Sequence, residues 1–377
     1  MAGPGAGGFG GAAGTGSGGS AMANAGAGGL STGGSAPSGG AGGSAPVSPA
    51  EPLLERVLPG ATALVLDPTR ERLYVAMGAS APDHANSVVV LDPVTATLLG
   101  GVDVGPHPNR LAISDDGSTL WVGIHDAASV QRIYISDDGL ERGSEYLLPP
   151  GDVGSLAPTA GPMVVLPGTR TSLAVSLHVD DYSPSLVGVV LLDDGVPRPL
   201  RLPGHTGASR LTRGPDGYLI GFNNLHGGFG LYTITVSAYG LTQTEHANLI
   251  SGFDTDIVYD RGLLFGTDGS VLQLADPEAP LLSARLPARG PIVPETALSV
   301  AWVLEGAESH AYPALLSLVS VNLLDRSVID TTPLATEVLM PRHFTHGSGR
   351  RFAFIADTPD PASAGLSFES GVYLLEL

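Results

Sequence analysis

Three arginines stand at one fixed distance from a turn glycine: Arg110 is seven residues before Gly117, Arg210 seven before Gly217 and Arg342 seven before Gly349. If each glycine closes the turn after a strand, each arginine begins that strand, always at the same end. A guanidinium presents a planar fork of donors that suits a carboxylate or a phosphate. Three at one level would hold a small anionic ligand or an acidic loop of a partner protein. The bland alternative is that Asp254, Asp256 and Glu295 reach a similar height and pair with them.

Histidines point to the same end. His125 and His178 each follow a strand valine by three residues, Val122 and Val175, and so occupy equivalent places in successive units. Asn223 and Asp268 come at the corresponding places further on. Neutral imidazole beside carboxylate serves as a metal ligand or a general base. The pair acts together only if both rings point inward. Asp126 follows His125 directly, but neighbours on an extended chain face opposite ways, so adjacency alone predicts no contact. His107, His205 and His343 fall near the starts of first strands.

Other chemistry is excluded. The single Gly-x-Ser-x-Gly match, Gly29-Leu30-Ser31-Thr32-Gly33, falls in the Gly/Ala/Ser-rich stretch and lacks the apolar strand and following helix of a nucleophile elbow. The stretch "GTGSGG" at 14–19 lacks the flanking strand and helix of a phosphate loop. Asp67, Asp115, Asp116, Asp137, Asp138, Asp193, Asp194, Asp216 and Asp276 read as turn residues, without the fixed odd spacing and closing Glu of a calcium loop. The absence of Cys removes thiolate metal sites and thiol nucleophiles. No metal and no cofactor is assigned.

The elements that would position these residues form a repeat. From Asn109 the chain runs through a short apolar strand, the turn Ser114-Asp115-Asp116-Gly117, a strand at Leu120–Ile124, a third near Val130–Ile135, the turn Asp137-Asp138-Gly139 and a fourth strand ending at Leu148. Similar units cover 60–104, 161–202, 208–250, 254–286 and 295–334. The last unit stops at Leu377 after three strands, and "PLLERVLPG" at 52–60 resembles the segment that precedes the second unit. The expected fold is therefore all-β: a seven-bladed β-propeller of four-stranded blades. An N-terminal strand at about 52–58 pairs with the last three strands and removes an exposed sheet edge. The 327 residues from 51 to 377 make about 47 per blade, near the usual 40–50.

"LDPTRERLYVAMG", "NSVVVLDPVTATLLGGVDVG" and "ISDDGSTLWVGIHDAASVQRI" resemble the repeats of YVTN-type seven-bladed propellers, with Leu73-Tyr74-Val75 and Leu120-Trp121-Val122 as the best matches. The resemblance spans about 90 residues; the later blades lose the aromatic. It implies the propeller fold and a place outside the cytoplasm or at the cell surface. Related propellers include lactonase-like enzymes.

The composition divides the chain. Residues 1–50 hold 19 Gly, 12 Ala and 7 Ser and no charge. Such a stretch cannot bury enough apolar surface to order itself and is expected to be a disordered tether, with a reach of about 40 Å. Residues 51–377 are expected to form the propeller. They carry all 18 Arg and all 37 acids, hence the whole net charge of −19, and there is no Lys. An acidic body argues against nucleic acid and anionic membranes. Met1 is followed by Ala-Gly-Pro-Gly, which is no export signal. GC-rich coding, with its misplaced start sites, leads us to expect that signal upstream of Met1.

Two functions fit. One is a non-enzymatic ligand- or protein-binding propeller, monomeric and displayed outside the cytoplasm on its tether. The other is a lactonase-like hydrolase at the channel mouth, with an arginine holding the oxyanion and His125 or His178 as base. Binding is the preferred reading, because no catalytic motif is present.

Overall fold

The structure, a computed structural model, describes residues 52–154, 156–205, 207–306, 314–359 and 368–377. The Gly/Ala/Ser-rich stretch lies outside these residues.

Each Asp-Gly or Pro-Gly turn joins two short apolar runs, and four such runs make a blade. The first is Ala61–Asp67, Arg72–Met77, Ser87–Asp92 and Thr97–Asp103. The second is Pro108–Ile113, Thr119–Ile124, Ser129–Ser136 and Gly139–Leu147. Within these blades the strands pair antiparallel in chain order. Gly117, Gly217 and Gly349 take φ of 65°, 81° and 69° in these turns. That backbone is open to glycine at no steric cost, so the glycine spacing sets where each blade begins.

Second and third strands are buried on both sides. Thr119–Ile124 is buried throughout, whereas Thr97–Asp103 at the blade's outer edge is nearly all exposed. A strand clamped between two neighbouring blades has no wet face, which explains the unbroken apolar runs such as Leu173–Leu177.

Among the described residues the apolar core forms seven separate clusters, one at each junction between blades. Tyr74, Val90 and Leu120 lie at the first junction. Trp121 and Val175 lie at the second, and the series continues around to Phe354 and Leu318 at the sixth. The seventh joins Leu64, Leu73 and Val75 of the first blade to Ile355 and Val372 of the last. A core with seven junctions for seven blades is a closed ring, and the fold is a seven-bladed β-propeller. Trp121 is fully enclosed and its Nε1–H donates to Arg170 O at 3.0 Å across the second junction. Truncating such a side chain costs about 3–5 kcal/mol.

The closing strand is Leu53–Val57. It pairs with Phe368–Glu376 in the register Leu53 to Glu376 and Val57 to Val372. Arg56 adds an ion pair to Glu369 at 3.0 Å. The expected strand at 52–58 is thus present and completes the last blade.

One connection differs from the expected pattern. Blades six and seven share a single long strand, Val328–Gly347. Its first half is the outer edge of blade six, paired up to Val338, and from Leu339 it pairs with Arg351–Pro359 of blade seven. No glycine separates the halves; Met340-Pro341 and the irregularities on either side of Arg342 bend the chain there.

Candidate ligand site at the channel mouth

The first strand of each blade lines the axis, and all seven run in the same direction. Arg110 lies on Pro108–Ile113 opposite Gly123, Arg210 starts Arg210–Arg213 opposite Phe222, and Arg342 lies opposite Ile355. They belong to blades two, four and seven, no two of which are neighbours. Yet the charges of Arg210 and Arg342 both act on Arg110. Side chains of non-adjacent blades meet only across the axis, so the three guanidinium groups converge at the channel mouth. Register shifts occur beside Arg110 and Arg342, and such bulges re-aim a side chain out of the ladder.

The cluster is short of compensating charge. Desolvation, then repulsion from Arg210 and Arg342, hold the Arg110 pKa down at about 10, with only Asp256 opposing. Arg110 Nη1 donates to Asn109 O at 2.8 Å. Arg342 has an acidic partner, Asp357, at 3.1 Å. Arg210 Nε and Asn109 Oδ1 are buried without a hydrogen-bond partner among the described residues. Enclosed polar atoms are nearly always paired, so two orphans beside three like charges mark a place shaped for something polar.

Two neutral imidazoles border the guanidiniums. Burial, then Arg110 and Arg210, hold His178 at a pKa of about 4. Burial, then Arg110, Arg342 and Arg210, hold His343 at about 3. The His178 ring fits inward because the facing residue is Gly161, where a Cβ would stand 2.6 Å from His178 Nε2. Ser176 Oγ spends its one proton on Ala208 O at 3.1 Å, so His178 Nε2–H donates to Ser176 Oγ at 3.1 Å. Nδ1 then accepts from Ser185 Oγ at 3.0 Å. Both nitrogens are engaged, which makes His178 a neutral wall of the site and a poor general base.

The structure therefore brings together Arg110, Arg210, Arg342 and His178, with Asp256 near enough to act on Arg110. Asp254 lies two residues before Asp256 in the same exposed loop. Glu295 does not belong here. Strand Ile292–Glu295 is only four residues long and Glu295 is its last, next to the turn at the opposite end of the channel. There its carboxylate accepts from Trp302 Nε1 at 3.0 Å and pairs with His346 Nδ1 at 2.9 Å.

His125 is also displaced from its expected partnership with His178. It sits on the rim between blades two and three, 2.8 Å from Asp126 Oδ1 through Nδ1 and 2.8 Å from Asp180 Oδ2 through Nε2. The chain is not extended at this point. Ala128 N–H closes a turn onto His125 O at 3.2 Å, with Ala128 at φ 48°, and the turn swings Asp126 back to its neighbour. His107 Nδ1 approaches the same oxygen at 3.4 Å. His343 was visible only as a histidine near a strand start; its φ of 54° turns it into the arginine cluster. No spacing pointed to Asp357 or Asp180.

No protein-family model matches the chain, and no curated protein matches it. Solved structures do. A protein of unknown function from Desulfotomaculum acetoxidans is 12% identical, with a TM-score of 0.57 over 74% of this chain and 90% of that one. AztD of Citrobacter koseri is also 12% identical, with a TM-score of 0.51 over 79% and 80%. Dihydro-heme d1 dehydrogenase NirN, in complex with DHE, is 17% identical at a TM-score of 0.46; this chain aligns over 73% of its own length and spans 66% of that one. For the first two the likeness is one of fold, in keeping with the ring shown by the seven junctions and the closing strand: the chain is a seven-bladed β-propeller.

Proposed function

We propose that the propeller is a binding protein whose channel mouth takes a small anion bearing carboxylate or phosphate oxygens. Arg110, Arg210 and Arg342 hold the anion, and neutral His178 and His343 shape its walls. The supporting observation is the meeting of three guanidinium groups, where Arg210 and Arg342 depress the charge of Arg110, in a chain of net charge −19. Such a cluster gains most from a ligand that brings its own negative charge into a partly desolvated site. An acidic loop of a partner protein would present the same oxygens.

The hydrolase alternative needs a base. His178 has both nitrogens in hydrogen bonds, and His125 is held by Asp126 and Asp180, so binding remains the preferred reading. The repeats are proposed to be YVTN-type, since Leu73-Tyr74-Val75 and Leu120-Trp121-Val122 occupy second strands with the aromatic buried. Display outside the cytoplasm, on a tether formed by 1–50, rests on that resemblance and on composition. Among the described residues no helix is long and apolar enough to cross a membrane.

Isothermal titration of the full chain with citrate and inorganic phosphate tests the site. R210Q should weaken binding about 10–100-fold, the worth of one or two charge-assisted hydrogen bonds, and Glu295→Gln should leave it unchanged. No anion binding, or equal binding by R210Q, defeats the reading. Turnover across a lactone panel would replace it with the hydrolase.

A further inference from the structure

On the rim beside the arginine cluster, three groups with ligand lone pairs meet. His107, His125 and Asp126 can each offer one atom, all within 4.8 Å of one another. His125 Nδ1 is 2.8 Å from Asp126 Oδ1, and His107 Nδ1 is 3.4 Å from that same oxygen. Donor atoms of a tetrahedral zinc site with bonds near 2.05 Å are about 3.3 Å apart, so these separations straddle the spacing that zinc requires.

Backbone ties hold the rings in place. His125 N–H donates to His107 O at 3.1 Å, and His107 N–H donates to Asn86 Oδ1 at 2.9 Å. His107 adopts φ 56°, which directs it across the loop to a ring-centroid distance of 5.0 Å from His125.

Proton counting gives a second, independent indication. A neutral His125 has one N–H but two carboxylate contacts, Asp180 on Nε2 and Asp126 on Nδ1. If Nε2–H donates to Asp180, the Nδ1 lone pair faces Asp126 Oδ1 at 2.8 Å, and two acceptors crowd one point. A cation at that point relieves the repulsion. It also leaves Asp180 in the position from which carboxylates orient metal-bound imidazoles. The His205–His226 ring pair, at 5.7 Å, is not part of any such cluster among the described residues.

We propose that His107 Nδ1, His125 Nδ1 and Asp126 bind one divalent transition-metal ion of the zinc class, with Asp180 orienting His125 and a fourth position open to water or a ligand. Two nitrogens and one oxygen form a borderline donor set that favours zinc over calcium or magnesium.

The test is equilibrium dialysis of the purified full chain against zinc, with metal content measured per chain. Residues 1–50 contain no His, Asp, Glu or Cys to compete. The expected result is one zinc per chain, abolished in H107A/H125A and retained in H205A/H226A. D180N should weaken binding about 10–100-fold. X-ray absorption of the zinc form should show nitrogen and oxygen neighbours with two imidazoles. Circular dichroism and thermal unfolding establish that the variants fold, and Asp126→Asn supplies a milder lesion if the double variant does not. No stoichiometric zinc, or zinc retained by H107A/H125A, overturns the proposal.

Discussion

Replacing Arg110 by Met should make the ligand-free protein more stable. Folding lowers the Arg110 pKa from its ordinary value to about 10, through desolvation and then through Arg210 and Arg342. At about 1.4 kcal/mol per tenfold change in acidity, carrying that charge costs the native state about 3 kcal/mol. Removing the side chain also loses its bond to Asn109 O, worth about 1 kcal/mol. The balance is a gain of about 2 kcal/mol, or roughly 3 °C in Tm for a domain of this size. The sign follows from linkage. A base with a depressed native pKa is penalised at every pH below that pKa, so the advantage of the variant should be constant from pH 6 to 9 and shrink only above about pH 10. Calorimetry in anion-poor buffer measures it, and a second scan with citrate completes the comparison. Citrate should raise the wild-type Tm, by about 2.7 kcal/mol of stability at a hundred times Kd, and should raise that of R110M much less. If R110M melts below wild type without citrate and both gain equally with it, the guanidinium cluster is not the strained, ligand-ready feature described here.

Other consequences are as direct. Between about pH 6.5 and 4 the wild-type protein should lose stability, because unfolded His178 and His343 take up protons that their folded forms, at about 4 and about 3, refuse. His343→Asn tolerates the same positive φ and should flatten the acid limb of Tm against pH. Gly161→Ala should destabilise the protein by about 1–3 kcal/mol, since its Cβ displaces His178; an unchanged Tm in denaturant and thermal melts would contradict the packing. A chain beginning at residue 59 should aggregate in light scattering while one beginning at residue 51 should not, because removing Leu53–Val57 leaves Phe368–Glu376 as an open edge.

Much of this molecule is written in local chemistry. Asp-Gly turns at regular intervals, with apolar runs between them, define blades because turn glycine and strand register are short-range properties. The unpaired start and end of the repeat predicted the closing strand at Leu53–Val57. The spacing of Arg110, Arg210 and Arg342 from their glycines placed all three at one level, since each count runs along a single strand from its own turn. Where no turn glycine fixed the count, it failed. Glu295 ends its strand where Arg210 begins one of the same length, so it belongs to the other face. His125 and His178 share a place in their repeats, but Gly161 opens room for His178 while a turn at Ala128 folds His125 toward Asp126.

What the sequence by itself determined is the repeat, its number and the level of the arginines, because these depend on periodicity and turn residues alone. Tertiary structure alone decided which side chains share a cavity. Convergence across the axis and the His343 contribution join residues of different blades, and the Asp357 pairing and the His107–His125–Asp126 group join separate segments within one blade. Bulges, positive-φ turns and one missing side chain aim them, and no spacing along the chain encodes where two blades will point.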